Sequence, residues 1–226
     1  MPRPTEPAAG PRPPRIDLPG PRPLVDTAPA DLLGGDTREG EGYTGVDLGG
    51  LDLEFTAFVG CAFRRTGLLD AELRGAQFIE TTMADLDVPA LTAPRTSWRA
   101  VALTGSRLGS LELYESSWRA VAVGASKLGY LNARSATWQD VVFTDCTIDE
   151  LDLGHATVNR LVLDRCRIGT LDVSHARLAD VDLRTAELAR VNGLAGLAGA
   201  WITEHQLAEL APLLAAHLRI GVGPEV

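Results

Sequence analysis

The sequence predicts an all-β solenoid in which each coil has four short sides. The first observation is that every fifth residue from Leu48 to Leu188 is apolar, giving 29 consecutive apolar positions in a chain that is 45% hydrophobic. A period of five fits neither a helix, with 3.6 residues per turn, nor a flat strand, with its period of two. It fits a chain that turns a corner every five residues and points two side chains of each five inward.

The second observation is a longer period of 20 residues. The hexapeptide SWRAVA at residues 97–102 recurs at residues 117–122, and related segments begin at Thr137 and Thr157. Four five-residue sides then make one coil, and residues 20 apart stack in columns. With about 4.8 Å between coils, residues 46–191 predict about seven coils and a rod roughly 34 Å long.

The inward positions define the predicted core. One is the apolar position, and the other, two residues earlier, carries a small or aliphatic residue such as Ala76 or Cys146. One interior column is aromatic and contains Phe58, Phe78, Trp98, Trp118 and Trp138. We interpret this column as core packing rather than as a surface for stacking a ligand.

These residues resemble the pentapeptide-repeat family, whose pattern is a small residue, Asp or Asn, Leu or Phe, and two freer positions. The resemblance covers about residues 46–191 and implies a right-handed quadrilateral β-helix. Three of the central positions are Trp. The Asp/Asn position is filled in that way at only a minority of repeats, which marks a divergent member: Asp47, Asp52, Asp87, Asn132, Asp152, Asp172 and Asp182.

The sequence divides into three parts. Residues 1–42 hold 10 of the 14 prolines and predict a mostly disordered tail, because little apolar surface offsets the entropy of ordering them. Within this tail, Pro11-Arg12-Pro13-Pro14 fits either a peptide-docking segment or a plain flexible one. Apolar residues between Ile16 and Leu33 could instead fold back onto the next element. Residues 43–195 form the predicted β-helix, and residues 196–226 form a C-terminal helical segment.

The C-terminal segment has a clear start and an apolar face. Thr203 and Gln206 predict a capping box. Pro212 predicts either two short helices or a kink. The apolar face either covers the open end of the β-helix or binds a second copy, and similar segments of the resembled family often mediate homodimers. Its leucines are Leu207, Leu210, Leu214 and Leu218.

Charge varies along the chain. The net charge of −9 argues against direct nucleic-acid binding, which needs Lys and Arg. Residues 47–87 hold eight acids against three arginines, residues 95–134 hold two acids against six bases, and residues 140–187 hold ten acids against five bases. The rod is therefore predicted to have acidic ends and a basic middle.

One column supplies the predicted binding residues, which we call the carboxylate ladder. Thr92 and Asn132 interrupt it. One interpretation is a surface that imitates the regular negative charge of a nucleic-acid backbone. The other is that this repeat position faces solvent and is simply polar. The acids of the ladder are Asp52, Glu72, Glu112, Asp152 and Asp172.

Catalysis and metal binding find no support in the sequence. We find no catalytic motif, and we expect no enzyme activity, cofactor or metal. His155 and His175 are read as stacked surface residues, although a metal pair is conceivable. Cys146 and Cys166 are read as core packing, although their spacing permits a disulfide. The absence of a signal sequence and of a long apolar run predicts a cytoplasmic location with no membrane partner.

The function is inferred from the resemblance. It implies a non-catalytic protein-interaction module. Some members of the family bind bacterial DNA gyrase as DNA mimics and protect it from quinolones or peptide toxins. Gyrase or a related topoisomerase is therefore the specific candidate partner. The alternative is a structural scaffold or adaptor whose partner is unrelated to topoisomerases.

Overall fold

The computed structural model describes residues 10–20, 22–29 and 32–223. Within them the chain forms a parallel β-solenoid of about nine turns, followed by one helix. The first ten strands are β1 Val25–Asp26, β2 Thr37–Glu39, β3 Glu41–Thr44, β4 Ala57–Val59, β5 Ala62–Arg64, β6 Gln77–Ile79, β7 Thr82–Ala84, β8 Asp87–Thr92, β9 Ser97–Thr104 and β10 Arg107–Glu112. The others are β11 Ser117–Gly124, β12 Lys127–Asn132, β13 Thr137–Thr144, β14 Thr147–Asp152, β15 Thr157–Asp164, β16 Arg167–Asp172, β17 Arg177–Asp182, β18 Glu187–Leu188, β19 Val191–Asn192 and β20 Ala200–Trp201.

The strands form two parallel sheets. The larger follows the order β1-β3-β5-β7-β9-β11-β13-β15-β17-β20, and β2, β4 and β6 run beside it until β6 pairs with β9. The smaller follows the order β8-β10-β12-β14-β16-β18, and β19 pairs with β16. Trp118 lies opposite both Trp98 and Trp138, which confirms the 20-residue coil. The end coils are shorter, because Val25 pairs with Glu41 and Val181 pairs with Ala200.

The solenoid is longer than the predicted seven coils because it begins earlier in the chain and ends later, since Ala200–Trp201 pairs with β17 beyond the predicted boundary at residue 195. Paired strands start at Val25, ahead of the predicted boundary at residue 43. Leu32 and Tyr43 are buried in the same core as the later repeats. Gly35 and Gly40, inside the predicted tail, and Gly45 lie at corners, because they have φ of 81°, 65° and 66° at five-residue spacing. Glycine adopts this left-handed backbone without strain.

Other corners place ordinary residues in the same left-handed region. Asp140, His155 and Arg160, for example, have φ of 60°, 59° and 58°. No corner residue with positive φ in the described chain is Val, Ile or Thr, because β-branched side chains are strongly disfavoured there. Corner residues of successive coils stack in columns, so residues far apart in sequence become neighbours on the surface.

The core follows the predicted pattern. Of the repeated apolar positions, only Leu178 and Leu188 are less than fully buried. In the aromatic column, neighbouring ring centroids lie 5.4, 5.1, 5.0 and 4.6 Å apart from Phe58 to Trp138. The Trp98 indole N–H donates to Thr96 Oγ1 at 3.0 Å. The interior is filled by side chains, as the sequence predicts for a packed coil.

After a short 3-10 helix at Leu194–Leu197, one α-helix, α1, packs against the C-terminal end of the solenoid in the described part of the chain. It spans Glu204–His217 and starts with the predicted capping box of Thr203 and Gln206. The expectation of two short helices is wrong, since Pro212 lies inside this one helix. Pro212 and Ala208 are both exposed, so water can reach the backbone carbonyl that proline leaves without a donor.

Candidate protein-interaction surface

The carboxylate ladder is a continuous column in the structure. Isolated bridges join Asp52 to Glu72 and Glu72 to Thr92. Strand pairing then carries the column through Glu112, Asn132, Asp152 and Asp172 to Asn192. Each residue therefore faces its counterpart in the next coil, at the spacing of hydrogen-bonded strands, about 4.8 Å. The structure brings the predicted residues together in one line.

Aspartates of the ladder also stabilise their own turns. Asp52 Oδ1 accepts the Glu54 backbone N–H at 3.0 Å, and Asp152 accepts that of Gly154 at 2.8 Å. Asp172 accepts the Ser174 N–H in the same way at 2.8 Å. A side-chain oxygen that bonds the backbone two residues on is the usual role of Asp and Asn in turns. The repeat therefore favours Asp or Asn here for a structural reason, whatever else the charge does.

The C-terminal half of the ladder is partly neutralised within the chain. Asp152 is only 6% exposed and pairs with Arg134 at 3.1 Å, which raises the pKa of Arg134. Glu112 accepts a hydrogen bond from Asn132 at 2.6 Å. Burial by itself would raise the pKa of Asp172, but hydrogen bonds from Ser174 and the charge of Arg134 hold it below its ordinary value.

The N-terminal end of the ladder is open. Asp52 and Glu72 are both exposed, and neither forms an ion pair with any residue in the described part of the chain. An exposed carboxylate without an ion-pair partner in its own chain is accessible to a cation of a second molecule. Of the five acids predicted to bind a partner, these two are therefore the most accessible.

Several corner columns hold ion pairs that span neighbouring coils. Arg95 pairs with Glu115 at 2.6 Å, and Arg165 pairs with Asp145 at 2.8 Å. Arg160 pairs with Asp140 at 2.5 Å and, unlike the other two pairs, is buried. Opposite charges one coil apart stabilise the stack, whereas like charges would oppose it.

The basic middle of the rod is exposed. Arg99 lies opposite Arg119 in neighbouring strands, and Arg107 lies opposite Lys127. All four side chains are exposed, and none has a salt bridge within the described ranges. The solenoid register thus places two pairs of like charges side by side between the acidic ends.

The histidines and cysteines lie where the sequence places them. The exposed rings of His155 and His175 stack with centroids 4.9 Å apart. Cys146 and Cys166 are buried free thiols, and the Cys146 thiol together with burial raises the pKa of Cys166. Among the described residues, no group of three or more His, Cys, Asp or Glu side chains is arranged to hold a metal ion.

A small apolar void lies in the core beside the aromatic column. Its volume is about 30 Å³, and its lining includes Phe78, Trp98 and Trp118. That volume admits at most a water molecule, which would find no polar partner there. This void is therefore no candidate for ligand binding.

The four C-terminal leucines divide between two environments. Leu210 is buried and Leu214 packs against the core, whereas Leu207 and Leu218 are 50% and 64% exposed. Sequence reasoning missed the main polar contact of this segment. The Gln206 side chain donates to the carbonyls of Leu183 and Ala186 at 2.8 and 2.9 Å.

No helix in the described residues is long and apolar enough to cross a membrane.

The five-residue repeat, the four-sided coil and the parallel ladders define the class of fold: the chain is a parallel β-solenoid that turns a corner every five residues. No protein-family profile and no curated protein sequence matches it.

Similar solved structures include QnrB1, a plasmid-mediated fluoroquinolone resistance protein. Its trypsin-treated R167E form is 17% identical, with a TM-score of 0.42, covering 88% of this chain and 95% of that one. Full-length QnrB1 is 16% identical, with a TM-score of 0.39, covering 84% and 94%. HetL, a pentapeptide-repeat protein involved in heterocyst differentiation regulation in the cyanobacterium Nostoc, is 17% identical, with a TM-score of 0.33, covering 76% and 91%. Identities this low do not carry a partner from one protein to another.

Proposed function

We propose that this chain is a non-catalytic protein-interaction module that binds a cationic protein surface through the open end of its carboxylate ladder. The observation that carries the proposal is the pair Asp52 and Glu72, which are exposed, in register on neighbouring coils and without a salt bridge to any described residue. Eight acids against three arginines between residues 47 and 87 give this end a negative field that attracts a basic partner. Glu112, Asp152 and Asp172 extend the column, but their carboxylates already bond to other residues of the same chain.

The specific candidate partner is DNA gyrase or a related topoisomerase. An enzyme that holds DNA presents a cationic surface to the phosphates, and a rod with regularly spaced carboxylates would compete for that surface. The unneutralised part of the ladder is short, so the proposal places the contact at the N-terminal end. The chain itself is not expected to bind DNA.

A supercoiling assay with purified gyrase tests this candidate. The full chain is titrated into the reaction with and without a quinolone, and we expect inhibition of supercoiling or protection from the drug. Linear and supercoiled DNA without enzyme serve as controls for direct DNA binding. Absence of any effect up to high micromolar protein would exclude gyrase as the partner.

A matched pair of charge variants tests the surface. Asp52→Asn/Glu72→Gln removes two charges, and the amide oxygen introduced at position 52 can still accept the Glu54 N–H. Asp149→Asn/Glu150→Gln removes the same charge from exposed residues outside the ladder. Since exposed ion pairs contribute about 0.2–1 kcal/mol each, we expect the first variant to bind about 2- to 30-fold more weakly and the second to bind normally. Equal losses would indicate attraction by net charge alone.

The basic middle favours a second candidate, a scaffold whose partner is unrelated to topoisomerases. The exposed pair Arg99 and Arg119 would repel a cationic surface but suits an acidic one. Arg99→Gln/Arg119→Gln separates the two functions. Partner binding that is lost in this variant and kept in Asp52→Asn/Glu72→Gln would support the scaffold.

A further inference from the structure

The N-terminal proline-rich segment lies along one corner of the rod. This corner column consists of Glu80, Ala100, Ala120, Asp140, Arg160 and Asp180, each 20 residues from the next. Three arginines of residues 10–22 reach it. Arg22 pairs with Glu80, Arg12 pairs with Asp180, and Arg15 donates its backbone N–H to Asp140. The segment therefore runs in the opposite direction to the growth of the solenoid.

Arg12 and Asp180 make the most complete of these contacts. The Arg12 backbone N–H donates to Asp180 Oδ1 at 3.1 Å, and Arg12 Nε donates to Oδ2 at 2.7 Å. Arg12 Nη2 lies 2.5 Å from Oδ2 as well. Backbone and guanidinium thus share one carboxylate, which requires both an arginine and a free backbone N–H at this position. Hydrogen bonds from Arg12 hold the pKa of Asp180 below its ordinary value.

The second contact, between Arg15 and Asp140, involves only the backbone of Arg15. The Arg15 N–H donates to Asp140 Oδ1 at 2.8 Å, while the Arg15 side chain is exposed. Asp140 is only 4% exposed and also accepts two hydrogen bonds from Arg160. The column therefore presents a buried carboxylate, already oriented by Arg160, with an oxygen aimed at the incoming chain. A proline at position 15 would lack the required donor.

The spacing of the two contacts matches an extended proline-rich chain. Asp140 and Asp180 are two coils apart, about 9.6 Å at the strand spacing. Arg12 and Arg15 are three residues apart, about 9.3 Å in a polyproline helix. Pro11 and Pro14 are partly buried whereas Arg12 and Pro13 are exposed, as expected when every third residue faces the rod. Prolines also reduce the entropy lost on docking.

We propose that this corner column is a peptide-binding site for an extended Arg-Pro-Pro-X segment, where X is any residue except proline, and that residues 12–15 of the same chain are its resident, displaceable ligand. Asp180 recognises the arginine, Asp140 recognises the backbone N–H of X, and Glu80 takes a following arginine. The column is separate from the carboxylate ladder, so the inference does not depend on the identity of the ladder's partner. While residues 12–15 of the same chain occupy the site, another Arg-Pro-Pro-X segment binds only by displacing them.

Peptide binding in trans tests the proposal on the full chain. The probe is a fluorescein-labelled peptide with the sequence of residues 10–22, followed by anisotropy. The opened variant, Arg12→Ala/Arg15→Pro, loses the guanidinium contacts of Arg12 to Asp180 and the Arg15 N–H bond to Asp140, and keeps only the Arg12 backbone N–H and the Arg22–Glu80 pair. We expect it to bind the probe at least about tenfold more tightly than the natural chain, because a tethered ligand competes at an effective concentration near millimolar. Asp180→Asn in the opened variant should weaken the probe again.

A control peptide carrying Arg12→Ala and Arg15→Pro should not bind the opened variant. Equal binding of the probe to the natural and opened chains, or binding to neither, would overturn the proposal. So would equal binding of the control peptide.

Limited trypsin digestion of the intact chain gives a second test that needs only one mild substitution. Trypsin cleaves poorly after an arginine that is followed by proline, so the Arg12–Pro13 and Arg22–Pro23 bonds resist it. Cleavage of the Arg15–Ile16 bond therefore measures how accessible the segment is. We expect its cleavage to be slow in the natural chain and several-fold faster in Arg12→Ala. Equal cleavage rates would contradict a docked segment.

Discussion

The attachment of α1 to the C-terminal end of the solenoid depends on Gln206. Its amide group donates to the carbonyls of Leu183 and Ala186, which belong to the last coils. Its carbonyl oxygen accepts the Thr203 backbone N–H at 2.8 Å as part of the capping box. Gln206→Ala removes these three bonds together with the 3.2 Å bond from Thr203 Oγ1, while the Leu183 carbonyl keeps the Ala186 backbone N–H as a donor. At about 1 kcal/mol net for each of the three shorter hydrogen bonds, the loss of unfolding free energy is about 3 kcal/mol.

The substitution Gln206→Glu separates the two roles of this residue. Glutamate serves a capping box as well as glutamine does, so a residue needed only for the cap would tolerate the change. In this structure the second carboxylate oxygen would face two carbonyls and repel both. We therefore expect Gln206→Glu to be at least as destabilising as Gln206→Ala.

Thermal unfolding followed by circular dichroism measures the effect. For a chain of this size, about 3 kcal/mol corresponds to a midpoint lowered by about 6–12 °C. Glu209→Gln, three residues further along and exposed, is the control and should leave the midpoint nearly unchanged. A Gln206→Glu chain as stable as the natural one would refute the contact to the last coils.

Three further predictions follow from other parts of the rod. Thr96→Ala removes the acceptor of the Trp98 indole and should lower the unfolding free energy by about 1–3 kcal/mol in urea, whereas Thr96→Ser should lower it less. Arg12 and Arg184 hold the pKa values of Asp180 and Asp182 below their ordinary range. Their contribution to stability is present above the unfolded carboxyl pKa, about 4, and is lost as the pH falls through the folded values. Asp180→Asn should reduce this loss of stability at acid pH, which thermal unfolding between pH 7 and pH 3 measures. If the exposed Leu207 and Leu218 hold a homodimer, Leu207→Glu/Leu218→Glu should sediment as a monomer where the natural chain is a dimer, and an unchanged sedimentation coefficient would rule out that interface.

Much of the surface could not be predicted from the sequence because its contacts join distant residues. Arg12 and Asp180 are 168 positions apart, and no periodicity relates a tail residue to a corner. Arg134 neutralises Asp152 from the preceding coil, so a carboxylate that the sequence presents as a binding group is mostly buried. The corners at Gly35 and Gly40 were not predicted, because a segment rich in proline and glycine has the composition of a flexible tail.

The sequence by itself determined the interior of this protein. A five-residue period with an apolar centre leaves one way to bury those side chains, and the 20-residue repeat sets which of them stack. The tertiary structure alone decided which charges remain available, where the proline-rich segment lies and how the last coil is closed. The physical reason is that burial depends on a pattern repeated along the chain, whereas the pairing of surface charges depends on which individual side chains the coils bring within reach.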